Sequence, residues 1–389
     1  MNRVPTFLMR VVAARDVNAA DAQAWAALEA RAIEPNAYLS PFFVLPATRY
    51  LTPRSDTIVC LIERLRAGQR DLVGVGIFDK ALASRTFPLP RLIAYRSVHS
   101  FLGGLLLDRD CHAQALDALI SGIRRQMPWF MGLEFGQAWA DGTLARNADN
   151  PTRRNYCEVR REGAVARAVL SPFKGLGFLQ DKSFGSRVRD LNRRKRRLNE
   201  QGQVQWRWHR DDGIPGAAVE DFLALEHMDW KGQAGTSLRS QPNHEAFFRE
   251  VVSGFASQQR ALFTELTLDG KPVASCCNFI SGRIGFGFKI GWNPEFRSAA
   301  PAKLNEIELM RQAHAAFPDI ELFDSGSGPD SYINDLWPER RVLTTLMTPT
   351  NAAGAVALQL VEGAKRLRQA LRSALAPVRE PLPNSELAT

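Results

Sequence analysis

One short segment of the chain has residue types suited to binding an anion. It reads Arg297-Ser298-Ala299-Ala300-Pro301-Ala302-Lys303. An apolar, aromatic stretch at residues 284–290 precedes it and predicts a buried strand, and apolar residues at helical spacing follow it. Pro301 suits the first helical position, while Ala300 offers no side-chain acceptor to the first-turn amides. With Arg297 and Lys303 adding positive charge, the pattern predicts a phosphate-binding helix entrance.

The composition is that of a globular protein long enough for two domains. The 389 residues are 45% hydrophobic and 23% charged, with a formal net charge of +9. This charge favours an anionic partner, such as a nucleotide, CoA, tRNA or an anionic lipid surface. No apolar run reaches the roughly 18–20 residues that cross a bilayer, and the N-terminus has no cleavage-site pattern, so we expect a cytoplasmic protein. The five cysteines show no ligand spacing, so we expect no metal site.

The order of predicted elements repeats along the chain after about 190 residues. Each half contains a strand hairpin, a helix and a further strand, at residues 57–64, 72–80, 112–126 and 129–135, then at 261–268, 272–280, 301–317 and 320–323. The repeat predicts two related α/β domains joined within residues 140–187. In the first half the helix opens with Asp108-Arg109-Asp110, whose carboxylates would cap it and repel a pyrophosphate. A phosphorylated cofactor is therefore expected in the second half.

Several motifs together resemble a known family. The anion segment keeps the ends of the (Q/R)-x-x-G-x-(G/A) turn of the GNAT acetyltransferase fold at Arg297 and Ala302, with Ala300 replacing the middle glycine. Three further motifs are EHMDWKGQAGTSL at residues 226–238, Phe247-Phe248 and Phe288-Lys289. This set resembles the CelD/BcsL-type GNAT proteins, which are linked by name to cellulose and other exopolysaccharide biosynthesis. Members of that branch resemble Fem-type peptidyltransferases in having two GNAT-like domains.

The resemblance implies an α/β (α+β) fold with two tandem GNAT-like domains, each a mixed, mostly antiparallel sheet flanked by helices. Residues 1–165 would form a domain without cofactor, and residues 166–350 would form the domain that binds acetyl-CoA or another acyl-CoA. Residues 351–389 would form a C-terminal helix and a disordered tail.

Three residues are candidate catalytic groups. Asp324 ends the last predicted strand, where strands of this fold separate around the acyl group, and it could accept a proton; turn formation explains it equally well. Tyr332 lies where many GNAT enzymes place a tyrosine that protonates the departing thiolate, although a packed tyrosine is the alternative. Glu226 is a further candidate base.

Four residues are candidate substrate contacts. Trp230, Lys231 and Thr236 belong to a Gly-rich segment that suits a loop folded over a ligand, or simply a helix C-terminus. Lys289 would share a strand face with Gly287 and could lie beside a cofactor or an acidic substrate, or at a solvated edge.

Two basic segments remain. Residues 187–197 read RVRDLNRRKRR and predict a helix with a solvated basic face or a binding surface for tRNA or glycan phosphates. The predicted helix at residues 352–375 has a thin apolar stripe and several cations, which favours packing against its own domain and leaves peripheral membrane contact as an alternative.

Three functions follow as hypotheses. The leading one is an acyl-CoA-dependent N- or O-acyltransferase that acts by direct transfer on a sugar, glycan or related small-molecule acceptor in polysaccharide biosynthesis. The second is Fem-like transfer from aminoacyl-tRNA. The third is a non-catalytic GNAT scaffold, because Ala300 departs from the family turn and no base is obvious.

Overall fold

The computed structural model describes residues 6–54, 56–66, 68–84, 87–148, 160–172, 182–228 and 230–375. The strands are β1 Thr6–Ala13, β2 Ile58–Arg66, β3 Gln69–Ala81, β4 Arg91–Ala94, β5 Leu106–Leu107, β6 Gly132–Trp139, β7 Arg160–Leu170, β8 Val204–His209, β9 Ala261–Leu268, β10 Lys271–Ser281, β11 Ile284–Trp292, β12 Leu322–Asp324 and β13 Glu339–Pro349. The α-helices are α1 Ala19–Ala30, α2 Pro41–Tyr50, α3 His112–Gln126, α4 Thr143–Ala148, α5 Lys182–Asn199, α6 Gly216–Met228, α7 Trp230–Gln233, α8 Pro242–Ala256, α9 Pro301–Ala316 and α10 Ala352–Leu375.

The described strands form one mixed sheet with helices packed on it, which confirms the predicted α/β class. Twelve of them lie in the order β1-β2-β3-β4-β6-β13-β7-β12-β11-β10-β9-β8, and β5 pairs beside β3. The pairings β4–β6 and β11–β12 are parallel, and the other pairings are antiparallel. In each half a hairpin comes first, and a helix then connects the two strands of the parallel pair. The sheet is therefore mostly antiparallel and repeats, as the sequence predicts.

Most predicted elements lie where the pattern put them. Helix α3 and strand β9 begin and end at the predicted residues, and α9 begins at Pro301. The strand predicted from residue 129 instead begins at Gly132, because Pro128 and Trp129 form a turn that leaves Trp129 78% exposed. Asp108 does not cap α3. The N-cap residue of α3 is Cys111, which makes no side-chain hydrogen bond to the helix, and Asp108 is instead buried against Arg31 at 2.6 Å. The predicted carboxylate cap is thus wrong.

The two halves exchange their last strands at the centre of the sheet. Strand β7 follows β6 in the chain but pairs with β12, through Leu170 opposite Phe323, and with β13. Strand β13 follows β12 but pairs with β6, through Leu343 opposite Trp139. Each half therefore supplies the strand that completes the sheet of the other. The predicted boundary between residues 165 and 166 lies within β7 and remains a prediction.

Buried contacts also join the helices of one half to the sheet of the other. The Tyr38 hydroxyl donates to the Gly287 carbonyl at 2.9 Å, and the Tyr38 ring lies edge-on to Phe286 with centroids 5.8 Å apart. Glu29, which has no exposed surface, pairs with Arg260 and accepts from the Ser281 hydroxyl at 2.6 Å. Removing either partner of this ion pair would leave a buried charge unpaired.

Helix α10 turns its predicted apolar stripe away from the body of the protein. Leu358 is buried against Phe87 and Met347 on the opposite side of the helix. Leu360, Leu367 and Leu371 are 69%, 63% and 52% exposed. The helix therefore packs on its own domain, as predicted, but through Leu358 and not through the predicted stripe.

Some predictions concern residues that lie outside the described part of the chain. The predicted disordered tail and Asp229 of the Gly-rich segment lie outside the described residues, as does the side chain of Trp230. Within the described residues, no helix combines the length and apolar character needed to cross a membrane.

A buried histidine lies at the seam between the halves. His99, from the loop after β4, stacks on Phe247 of α8 with ring centroids 5.5 Å apart, and its Nε2 lies 3.2 Å from Nδ1 of His244. Burial lowers the pKa of His99 to about 3, and the positive charge of Lys289 adds to the effect. The folded protein therefore holds this imidazole neutral, whereas the unfolded chain binds a proton below about pH 6.5.

This difference makes stability fall as the pH falls from about 6.5 towards 3. Replacing His99 by Phe keeps a ring on Phe247 and removes the titrating group. Between pH 7.5 and pH 5, the unfolding free energy of wild type should fall by on the order of 1–2 kcal/mol more than that of His99→Phe. Urea denaturation at both pH values measures the loss. Val98→Ala, at a neighbouring exposed position, is the control; equal losses in His99→Phe and wild type would contradict the prediction.

Candidate active site

The predicted anion segment forms one wall of a cavity of about 620 Å³, which we call the donor cavity. A 3-10 helix at Pro294–Ala299 leads into Ala300 and the first turn of α9. Helix α5 forms the second wall, and a 3-10 helix at Tyr332–Asp335 the third. Four lining residues are cations: Arg187, Arg194, Arg297 and Lys303.

The backbone at the entrance of α9 leaves amide donors without side-chain partners. Ala300 adopts a left-handed conformation, with φ 54° and ψ 57°, and no side chain caps the helix. Pro301 occupies the first turn, as predicted. Because the first-turn N–H groups of an α-helix lack partners within the helix, Ala302 and Lys303 present amides at the positive end of the helix dipole. The arrangement suits a phosphate.

The left-handed conformation of Ala300 explains why the family turn usually has glycine at this position. A Cβ in this conformation costs roughly 1–2 kcal/mol, a cost that glycine avoids. Alanine therefore maintains the turn under strain, and the close approach of the backbone is kept.

Two of the four cations that line the donor cavity have aromatic rings as neighbours instead of carboxylates. Arg297 lies over the Trp292 ring at 5.8 Å, and Lys303 lies over the Tyr332 ring at 5.7 Å. Within the described chain neither of these two cations pairs with a carboxylate. They are therefore available to an anionic ligand.

Helix α5 supplies a part of the site that sequence reasoning missed. Arg187, Asp190, Leu191 and Arg194 follow at i, i+3, i+4 and i+7 and line the cavity together. Arg194 donates to the Ser298 carbonyl at 2.6 Å and to Asp190 at 2.7 Å, which ties the helix to the anion segment. Val188 and Leu191 anchor the buried side of the helix. The helical spacing of the arginines was readable, but the sequence did not show which surface they face.

Tyr332 lines the donor cavity, as its predicted role requires. Burial raises the pKa of Tyr332 well above its ordinary value, and the negative charge of Glu306 adds to this. The hydroxyl is therefore protonated at neutral pH and can serve as a proton donor. Glu306, a buried residue of α9 that sequence reasoning missed, has a pKa that burial raises to about 7. No sequence signal distinguishes it from other polar residues on an amphipathic helix.

Asp324 lies at the end of β12 with no exposed surface. Its Oδ2 lies 3.5 Å from Nη1 of Arg167, and its Oδ1 accepts from the Gly326 amide at 2.9 Å. Burial raises the pKa of Asp324, although Arg167 opposes the change. The carboxyl is not among the groups that line the donor cavity, so it could act as a base there only after the adjoining loop moves.

The remaining candidates cluster away from the donor cavity. Glu226 is buried, accepts from the Leu238 amide at 2.8 Å, and has Lys289 and Lys231 at 3.5 and 3.6 Å. Burial lowers the pKa of Lys289, although Glu226 opposes the change. The exposed Thr236 donates to the Lys231 carbonyl at 3.3 Å. These contacts fold the Gly-rich segment against β11, and none of the four residues lines the donor cavity.

One further contact resembles a nucleophile pair. His227 Nδ1 lies 2.7 Å from the Ser237 hydroxyl. Ser237 has no exposed surface and caps the 3-10 helix at Leu238–Ser240. The pair is therefore placed to hold the loop rather than to attack a substrate.

Comparisons with known proteins identify a family domain within the chain and structures with a similar fold. The sequence profile of a family described as acetyltransferase (GNAT) domain matches residues 185–332, which include most of α5, the anion segment and Tyr332. The structure of FemX is similar to this chain with a TM-score of 0.54 at 10% identity, over 84% of this chain and 95% of FemX. A conserved protein of unknown function from Bacteroides thetaiotaomicron has a TM-score of 0.54 at 13% identity, over 86% and 98% of the two chains.

A third similar structure is the C-terminal domain of a protein described as a lysylphosphatidylglycerol synthetase from Agrobacterium fabrum. Its TM-score is 0.51 at 12% identity, over 94% of this chain and 99% of that domain. No curated protein sequence matches the chain. At these identities the likeness to solved structures shows the fold alone. The protein has a GNAT acetyltransferase-like fold, and the domain match contains most of the residues that line the donor cavity.

Replacing Ala300 by Gly relieves the left-handed strain. We expect Ala300→Gly to raise the unfolding free energy by up to about 1 kcal/mol, because the strain removed exceeds the added chain entropy. Urea denaturation measures the change. Ala299→Gly, one residue earlier in the 3-10 helix, is the matched control and should lower stability. A loss in Ala300→Gly as large as that of the control would contradict the prediction.

Proposed function

We propose that the protein is an acyl-CoA-dependent acyltransferase whose donor binds in the donor cavity. The observation that carries the proposal is the uncapped entrance of α9, where free amides meet Arg297 and Lys303, neither of which pairs with a carboxylate of the described residues. A pyrophosphate would lie on these amides, and Arg194 and Arg187 of α5 would face it from the opposite wall. The domain match to the GNAT family over the same residues supports an acyl-CoA rather than another diphosphate.

The pairing of strand β11 supports a binding place for the acyl group beside this strand. Strand β11 pairs with β12 only from Ile284 to Phe286. It then extends past the end of β12 to Trp292, which lines the donor cavity, and among the described strands stays paired only with β10 on its other edge. The unpaired edge of β11 from Gly287 onward offers backbone donors to the oxyanion that forms when the acceptor attacks the thioester. The thiolate would leave past Tyr332, whose hydroxyl would donate its proton to the thiolate, and the proton released by the acceptor would then restore the tyrosine through water.

The proposed reaction is direct transfer to an amine or hydroxyl of a sugar, glycan or related small molecule. The acceptor attacks the thioester carbonyl, and water or a carboxylate takes its proton. Asp324 would take that role if substrate binding opened the loop that buries it. Since Ser237 is buried as a helix cap, we propose no covalent acyl-enzyme.

Titration calorimetry with CoA, acetyl-CoA and longer acyl-CoAs tests the donor. We expect wild type to bind CoA and Arg297→Glu to bind it at least roughly tenfold more weakly, because the change replaces a charge-assisted contact with a repulsion. Arg189→Glu is the matched control; Arg189 lies exposed on α5 and is not a lining residue. Folded wild type that binds none of these thioesters or CoA would overturn the proposal.

Fem-like transfer from charged tRNA is the second candidate. The likeness to FemX and the exposed cations Arg193, Arg196 and Arg197 beside the donor cavity favour it. It predicts tRNA binding that weakens steeply with salt, and weakens further when residues 193–197 are neutralised, because phosphate contacts release counterions. Mobility shifts between 50 and about 200 mM salt measure both effects. Absence of any shift at low salt would remove this candidate, and turnover of a defined acceptor with acetyl-CoA would exclude a non-catalytic scaffold.

A further inference from the structure

A second cavity, of about 410 Å³, lies where the two halves of the sheet meet, and we call it the junction cavity. The exchanged strands line it through Val165 of β7 and Leu343 of β13. The loop after β4 contributes Arg96 and Phe101, and the loop after β12 contributes Gly326 to Pro329. Both halves are therefore needed to build it. It shares no lining residue with the donor cavity.

Two arginines bring more positive charge to this cavity than its surroundings neutralise. Arg167 is buried, and its Nε donates to the Ser327 carbonyl at 3.2 Å. Its Nη1 has no hydrogen-bond partner and lies 3.5 Å from Asp324, its only ion-pair partner within the described chain. Arg96 lines the same cavity and forms neither a hydrogen bond nor an ion pair with any described residue. Partial burial lowers the pKa of Arg96, and the positive charge of Arg167 adds to the effect, as expected when one guanidinium group repels another.

A bound anion would relieve this repulsion. Guanidinium groups match carboxylate and phosphate geometry with paired N–H donors, and a buried guanidinium N–H without an acceptor is costly. Gln137, which also lines the cavity, adds a second unsatisfied polar group, because its buried Oε1 accepts no hydrogen bond. A ligand that fits both features carries an anionic group together with a hydroxyl or amine.

One loop joins the junction cavity to the strand beside which we place the acyl group. Gly326, with φ +64°, packs so closely on β11 that a Cβ there would lie 2.2 Å from the Gly287 carbonyl oxygen. The segment that continues from this loop reaches Tyr332 of the donor cavity within six residues. The loop that lines the junction cavity therefore packs on the part of β11 beside which we place the acyl group.

We propose that the junction cavity binds the acceptor of the transfer reaction by a carboxylate or phosphate that Arg96 and Arg167 hold. This inference rests on the proposed acyltransferase function. It adds the chemical class of the acceptor, an anionic molecule with a hydroxyl or amine nucleophile. The nucleophile would reach the thioester across the loop that starts at Gly326.

The test measures ligand binding in a background that lacks the phosphate site of α9. Glucose 6-phosphate, glucuronate, inorganic phosphate and glucose are each titrated into Arg297→Glu/Lys303→Glu protein by NMR. We expect a sugar anion to bind more tightly than glucose and inorganic phosphate, with phosphate and carboxylate told apart by the two sugars. Adding Arg96→Gln should weaken that binding at least roughly tenfold, the loss of one charge-assisted pair.

Arg96→Gln is the main variant because Arg96 has no partner whose loss would unfold the protein, whereas Arg167→Gln would leave Asp324 buried without a cation. Arg125→Gln, at an exposed site near the end of α3, is the control and should bind as the background does. The proposal is overturned if neither sugar anion binds better than glucose, if inorganic phosphate binds best, or if Arg96→Gln has no effect. Failure of wild type to bind CoA would instead remove the proposed function, since these titrations need no CoA.

Discussion

The antiparallel pairing of β7 with β13 is the interaction on which the rest of the structure depends. It places two strands from different halves at the centre of one sheet, with Glu339 opposite Val169 at one end of the pair and Met347 opposite Arg160 at the other. Through it, β6 and β12 each gain a neighbour that their own half does not supply. The aromatic contacts of Tyr38 and the buried Glu29–Arg260 pair then add to a junction that the backbone has already fixed.

The two halves use the same plan but differ in charge at the helix that follows each hairpin. In the first half, Asp108 is buried against Arg31, and Arg31 and Arg64 share Asp71, so charges near α3 neutralise each other. In the second half, Arg297 and Lys303 at α9 have aromatic rings as neighbours instead of carboxylates. The fold supplies a helix entrance twice, and the side chains leave only the second one electropositive.

Local chemistry explains which parts of the molecule were predictable from sequence. The anion segment, the hairpins and α3 follow from proline position, glycine turns and apolar spacing, all of which act within a few residues. The roles of Arg187, Arg96 and Arg167 depend on contacts between residues far apart in the chain, so no local pattern reveals them. The exchange of β7 and β13 was missed for the same reason, because both strands fit either half by composition alone. The burial of Asp324 likewise depends on Arg167, which another strand supplies.

Strand exchange also determines when each part of the sheet can form during synthesis of the protein. While the chain leaves the ribosome, the first half exposes the open edge of β6 until residues 339–349 have been synthesised. Strand β7 likewise must wait for β12 and β13, about 150 residues later, before its edges are covered. Such long-range pairing is slow to form, and unpaired strand edges attract other chains. The centre of this sheet can therefore be completed only after residues 339–349 are available, and the two halves then form one unit.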